Sequence, residues 1–185
     1  VEAIPKLLHK ILSRLSRFDI HIERPLNAKS VTKIIHPQSK FENLLYSASI
    51  KPDCGAILVI IDSDKNCPVQ LTRQLAQRAR NAQTNRPIVI ICAHHMYEAW
   101  LVASIESIAG KKLGQREGLP ANLQFEGDPD NIPNPKQWLD KRFAKGRGYK
   151  ETADQAEMTR LVDIERLFAQ SRSFRRLYHA VEEAI

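Results

Sequence analysis

No apolar run in this sequence is long enough to cross a bilayer as a helix, and the chain does not open with a signal-peptide pattern. The expectation from both absences is a cytoplasmic protein with no membrane contact. Cysteine is scarce. Cys54, Cys67 and Cys92 are odd in number and lack the paired spacing of a zinc ribbon, and Cys54 and Cys92 lie in or beside apolar runs. They read as reduced thiols rather than a disulfide framework. There is no internal repeat and no low-complexity tract. Methionine is absent from the first position, where Val1 stands, which leaves room for residues upstream.

What is present fits one globular domain with a small helical appendage. The 185 residues are 43% hydrophobic and 26% charged, enough chain and enough apolar material for a sizeable core. The formal net charge is +7. That excess is uneven: residues 51–110 are nearly neutral, while basic side chains gather toward both ends. Lys141, Arg142, Lys145, Arg147 and Lys150 form one cluster and Arg172, Arg175 and Arg176 another. Such clusters track a phosphate backbone, dock an acidic partner, or simply solvate a surface.

Along the chain, Ile4, Leu7, Leu8, Ile11, Leu12 and Leu15 recur at helical spacing. Alternating Phe18, Ile20 and Ile22 predict a short strand over residues 18–23. Pro25 and Pro37 punctuate a loop, and residues 39–48 read as helix. Ala56–Ile61 is continuously apolar and rich in β-branched residues, the pattern of a strand covered on both faces in a parallel sheet. Pro68 suits the first turn of a helix whose buried stripe is Leu71, Leu75, Ala79 and Ala82. Ile88–Cys92 is a second all-apolar strand, which completes a βαβ unit. A helix is expected from about Met96 to Ala109, with Trp100, Leu101, Ile105 and Ile108 inward. Residues 110–135 are dense in proline and glycine and read as a loop or insertion. Helices follow near 135–143, 152–170 and 173–183, the last with Ser173 as its N-cap. The organisation is therefore an α/β core over 1–109, a loop over 110–135 and a helical part over 136–185 that packs on the core.

Ligands of open parallel sheets bind beyond the carboxyl ends of the strands. Asp62 and Asp64 follow the first central strand, and Glu98 opens the helix after the second. Three carboxylates at one edge repel one another, and a divalent cation removes that repulsion. Oxygen-only ligation favours Mg²⁺ or Mn²⁺. An EF-hand loop also begins with Asp62, Asp64 and Asn66, but it needs Gly where Cys67 stands and Glu where Arg73 stands. A haloacid-dehalogenase phosphatase places two aspartates after a strand too, yet Asn66 replaces its usual residue. The remaining reading is an acidic turn that caps the following helix. Cys92, His94 and His95 lack a second Cys/His pair and do not make a zinc site.

Strand, Asp-x-Asp, helix, strand, acidic helix start is the layout of the Toprim domain of topoisomerases, bacterial primases and the overcoming-lysogenization-defect type nucleases. More closely, the chain resembles a prokaryotic Toprim-like family, domain of unknown function four-two-seven-six. The resemblance lies at residues 1–8, at Ile60-Ile-Asp-Ser-Asp-Lys-Asn-Cys-Pro68 and at Tyr97-Glu-Ala-Trp-Leu101. It continues at Pro135-Lys136, at Gly148-Tyr-Lys150 with Asp154-Gln155, and at Ser171-Arg-Ser-Phe-Arg175.

The resemblance implies an α/β, Toprim-like (Rossmann-like) parallel sheet flanked by helices, with a helical C-terminal extension. It also implies a metal-dependent centre that cleaves phosphodiester bonds. In that centre Asp62 and Asp64 match the paired aspartates that hold Mg²⁺ or Mn²⁺, and Glu98 matches the acidic residue after the next strand. The family's catalytic Glu-Gly turn, expected before the first helix, has no counterpart here, and Glu2 is only a neighbouring acidic position. Lys136 and Lys150 fall in matching motifs and are candidates to steady the transition state. The leading expectation is a nuclease or nuclease-like effector acting on nucleic acid, DNA ahead of RNA, in anti-phage defence beside an AAA- or ABC-type ATPase and as an oligomer. Lys141, Arg142, Lys145, Arg147, Arg172, Arg175 and Arg176 would contact the nucleic acid. A noncatalytic nucleic-acid- or ATPase-binding subunit, and a phosphatase or phosphotransferase with Asp62 as nucleophile, remain open beside it.

Overall fold

A computed structural model describes residues 2–28, 34–35 and 38–185. Two strands, β1 (Ile57–Asp62) and β2 (Ile88–Ala93), pair in parallel with Ile57 opposite Ile88 and Asp62 opposite Ala93. Helix α1 (Ala3–Arg14) precedes them, followed by α2 (Gln38–Ser49), and α3 (Pro68–Arg80) crosses between them. After β2 come α4 (Glu98–Ala103), α5 (Ile105–Ile108), a 3₁₀ turn at Pro129–Asn131 and α6 (Pro135–Asp140). A π-type turn at Glu151–Gln155 leads into α7 (Ala156–Leu161), α8 (Ile164–Gln170) and α9 (Arg172–Ala184).

Side-chain alternation along the strands divides the core in two. Ile57, Val59 and Ile61 of β1, with Ile88, Ile90 and Cys92 of β2, pack with Leu71, Leu75 and Ala79 of α3 and Phe41 and Leu45 of α2. Leu58 and Ile60, with Val89, Ile91 and Ala93, face the larger cluster. That cluster joins Leu7 and Ile11 of α1, Trp100 and Leu101 of α4, Leu139 of α6, Met158 of α7 and Phe174 and Leu177 of α9. Both sheet faces are thus covered by helices, which is why β2 and all of β1 before Asp62 are apolar. The expected inward stripes of α3 and of residues 100–108 are buried as the spacing implies.

Four expectations need correction. Residues 18–23 form no strand. Their backbone joins neither β1 nor β2, Phe18 is 79% exposed, and only Ile20 and Ile22 lean on the larger cluster. Alternation marks which side chains can be buried, but a strand also needs a neighbour for its N–H and C=O groups. The helix expected over 96–109 is broken at Ser104, whose backbone leaves helical geometry and whose Oγ accepts a hydrogen bond from the Asp163 N–H at 2.8 Å. The helix expected over 152–170 is split into the π-type turn, α7 and α8. Val162 turns extended, and the Asp163 carboxylate caps α8 by accepting from the Arg166 N–H at 3.0 Å. The N-cap of α9 is Ser171, not Ser173: Ser171 Oγ accepts from the Phe174 N–H at 3.0 Å, while Ser173 donates to the buried Asp130 carboxylate. The loop reading at Pro37 lies outside the described residues.

Candidate functional site

The parity that sends Leu58 and Ile60 toward the larger cluster sends Asp62 to the same face, at the carboxyl end of β1. The loops after the two strands are sewn together there. Ser63 is fully buried; its N–H donates to the Ala93 carbonyl at 3.0 Å and its Oγ accepts from the His95 N–H at 2.8 Å. The Asp64 N–H donates to the His95 carbonyl at 2.8 Å, and the His95 ring Nδ1 lies 3.1 Å from the Asp64 carbonyl oxygen. Because that oxygen can only accept, the ring carries its proton on Nδ1 in this pairing. Asp64 and His95 both hold a left-handed backbone, with φ of 50° and 59°. Non-glycine residues pay for that conformation, and the reciprocal bonds between the loops hold them in it.

Asp62 Oδ1 accepts from the Tyr97 N–H at 2.7 Å, so the carboxylate sits over the start of α4. The next residue, Glu98, is 2% exposed. Its Oε1 accepts from the Tyr149 hydroxyl at 2.9 Å and from the Gln155 amide at 3.2 Å, and the Lys136 ammonium stands 4.0 Å away. Burial first, and the charge of Glu98 second, push the Asp62 carboxyl from its ordinary 3.8 up to about 7, with Asp64 adding to the rise and Lys136 opposing it. Burial and Glu98 likewise raise the Tyr149 phenol far above its ordinary value, so it stays a donor. Burial works against the Lys136 ammonium, but Glu151 and Glu98 outweigh it and hold its pKa above the ordinary value.

The residues that seat Glu98 come from the C-terminal part, and a buried ion cluster fixes them. Asp154 is fully buried and accepts from Arg147 through both oxygens at 2.7 Å, from Arg116 at 3.0 Å and from the Lys150 N–H at 2.7 Å. Asp154 stands next to Gln155, and Lys150 next to Tyr149. Each half of the cluster therefore positions one of the two groups that reach Glu98. Tyr97, the residue just before α4, donates or accepts at Thr159 Oγ1 across 2.8 Å. Sequence reading singled out Glu98 and Lys136 but missed Tyr149 and Gln155 as its partners. The signal was present in the Gly148-Tyr-Lys150 and Asp154-Gln155 matches, but spacing alone does not say which carboxylate they meet.

Asp62 and Glu98 are thus brought together, with Lys136 at their rim. Asp62 Oδ2 and Glu98 Oε2 take no hydrogen bond from the described residues. Two mutually repelling carboxylates of this kind are the hard oxygen donors that Mg²⁺ or Mn²⁺ takes, so this pair fits a divalent ion. Asp64 is exposed beyond the strand, and among the described residues no three His, Cys, Asp or Glu side chains gather around one point. The three carboxylates share an edge without closing a three-ligand cage. Glu2 is exposed ahead of α1 and makes no capping bond through its side chain. Lys150 uses its N–H on Asp154 and leaves its ammonium exposed.

The basic residues separate by what they touch. Arg147 is committed to Asp154 and lies over the Phe143 ring at 4.2 Å. Arg175 donates to the Phe168 and Ala169 carbonyls at the end of α8, and Arg172 pairs with Asp128 at 3.2 Å. Arg142 stacks on Trp138 at 3.5 Å. Lys141, Lys145 and Arg176 are exposed. Among the described residues no helix is long and apolar enough to cross a membrane.

The family model described as Domain of unknown function (DUF4276) matches residues 1–182, and the chain belongs to that family. No curated protein and no solved structure matches the chain.

Proposed function

We propose that this member of the family carries a Toprim-like, Mg²⁺- or Mn²⁺-dependent centre that cleaves phosphodiester bonds in nucleic acid. The observation that carries the reading is the Asp62–Glu98 pair. A half-buried carboxylate, Asp62, lies within the field of a buried one, Glu98, at the carboxyl edge of a parallel sheet, at a cost visible in the rise of Asp62 to about 7. Folding does not gain from such a pair unless something positive shares it. Asp62 and Glu98 would hold the ion, with Asp64 on the exposed side. When bound, the ion would activate water and neutralise charge on the phosphate. Tyr149 and Gln155 fix one oxygen of Glu98, which leaves the other to turn toward the edge. Lys136 is 43% exposed and stands at the rim, where its charge can face a phosphate. Nucleic acid, DNA ahead of RNA, is the proposed substrate. An ATPase partner and an anti-phage setting extend the proposal by family resemblance.

One observation favours a second reading. Glu98 already has Tyr149, Gln155 and Lys136 around it, the company of a structural buried carboxylate. In that case the chain is a noncatalytic subunit that binds nucleic acid or an ATPase. Incubation with plasmid or single-stranded DNA and Mg²⁺ or Mn²⁺ separates the two. Cleavage that chelator abolishes, and that Asp62→Ala and Glu98→Ala each lose, supports the nuclease. Absence of metal-stimulated cleavage by the unsubstituted protein, or cleavage that survives both substitutions, removes it.

A further inference from the structure

A second feature lies at the opposite end of α6 from Lys136. The loop of residues 110–120 and the segment after α6 enclose an open cleft of about 520 Å³, lined by Lys111, Lys112 and Glu117 on one side and Arg142 and Phe143 on the other. The fold fixes both walls. The Gly110 N–H donates to the Leu119 carbonyl at 3.0 Å, and Arg147 Nε donates to the Glu117 carbonyl at 3.0 Å, which ties the loop to the segment. Gly118 is required there, because a Cβ at that position would lie 1.9 Å from the Lys111 carbonyl oxygen.

Arg142 is held in place before any ligand arrives. Its guanidinium stacks on Trp138 at 3.5 Å, and one terminal nitrogen donates to the Trp138 carbonyl at 3.0 Å. Nε and the other terminal nitrogen donate to none of the described residues. A planar fork with immobilised geometry and unspent donors suits phosphate oxygens and loses little entropy on binding them. Lys111 and Lys112 are exposed, and neither forms an ion pair among the described residues. Residues 141–150 carry five basic side chains and no acidic one, and Glu117 is the single acid in the cleft lining.

We infer that this cleft, through Lys111, Lys112 and Arg142, seats the phosphate backbone of a nucleic-acid strand that leads to the Asp62–Glu98 edge. The inference rests on the nucleic-acid reading of that edge and adds where the strand lies. Helix α6 runs between the two places, with Lys136 in its first turn and Arg142 just past its last. Six residues of helix span about 9 Å, which is two to three base steps at about 3.4 Å per step along one strand. Charge complementarity selects the occupant: a strand with a phosphate at every step matches a fixed guanidinium across the cleft from two lysines, whereas an acidic peptide would have to place carboxylates at that spacing.

The test is binding of a fluorescent single-stranded oligodeoxynucleotide, read by anisotropy in chelator across a salt series, so that cleavage plays no part. Lys111→Gln with Lys112→Gln, and separately Arg142→Gln, should weaken binding several-fold at low salt. Each lost contact should flatten the log–log salt slope by about 0.7. Arg73→Gln, an exposed charge on α3 across the sheet, should change neither. Each variant is checked for an unchanged thermal melt. Affinity and slope unchanged in the cleft variants, an equal loss in Arg73→Gln, or no binding by the unsubstituted protein would each overturn the inference. Binding that depends on the cleft in a protein that never cleaves would sink the nuclease reading and leave the cleft standing.

Discussion

Asp62→Asn should make the metal-free protein more stable, and by an amount that grows with pH. The substitution keeps the shape of the side chain and an oxygen for the Tyr97 N–H, but removes the charge that burial and Glu98 oppose. The sign follows from proton counting. The folded carboxyl titrates near 7 and the unfolded one near the ordinary 3.8, so between those values the native state holds the extra proton. Stability then falls as pH rises through that window, and the full cost stands above about pH 7. A displacement of about three pH units corresponds to a ceiling of about 4 kcal/mol, and partial access of solvent brings the expected gain to about 2 kcal/mol. Urea unfolding in chelator at pH 5 and pH 8 measures it. Asp62→Asn should raise the midpoint at both, and clearly more at pH 8. Mg²⁺ or Mn²⁺ should then raise the midpoint of the unsubstituted protein while leaving the variant nearly unmoved, because only the former has a repulsion to relieve. A midpoint shift of equal size at the two pH values, or a loss of stability at pH 8, would refute the claim that Asp62 is held against its charge.

Two further outcomes test what holds the site. Asp154→Asn should cost about 3 kcal/mol at neutral pH in the same urea assay, because it strands the Arg147 guanidinium, whose side chain is only 11% exposed. Burial works against the Asp154 charge, but the bonds from Arg147 and from the Lys150 N–H outweigh it and hold the pKa below the ordinary value. Its contribution should therefore be present at neutral pH and fade as pH falls below the ordinary carboxylate range. Tyr149→Phe removes one donor from Glu98 and should cost about 1 kcal/mol, while lowering any metal-stimulated cleavage more than it lowers oligonucleotide binding.

The parts of this molecule legible in its sequence are those where a single strong pattern decides the structure. Two uninterrupted apolar runs rich in β-branched residues read as strands covered on both faces. Pro68 and the spacing of Leu71, Leu75 and Ala79 can only place a helix between them. Asp62 and Glu98 then arrive at one edge by topology alone. Where two patterns compete, sequence reading stops short. Ser104 and Asp163 each sit inside an apolar helical period, and the period won in the reading. In the structure their hydrogen bond to each other, and the cap that Asp163 gives α8, break both helices. Ser171 and Ser173 are equally good caps by type, and both hydroxyls donate to the buried Asp130 carboxylate 41 and 43 positions upstream; only the Ser171 Oγ also accepts from a helix N–H, that of Phe174.

The same limit explains why the surroundings of Glu98 were not visible, and it carries a consequence for the C-terminal part. Asp154, Gln155, Tyr149 and Lys136 look in sequence like features of a separate helical extension. In the fold they are the walls of the carboxylate pair: Tyr149 and Gln155 grip Glu98, Asp154 locks both through Arg147 and the Lys150 N–H, and Lys136 closes the rim. The Trp100 indole N–H of α4 also donates to Ser173 Oγ at the start of α9. A paired-aspartate turn on a two-stranded sheet would by itself leave its carboxylates in water, where their mutual repulsion is weak. Burial by the C-terminal helices is what turns that turn into a site with a carboxyl poised near neutrality. The chemistry proposed for Asp62 therefore depends on residues up to 173 as directly as on the strand that carries it.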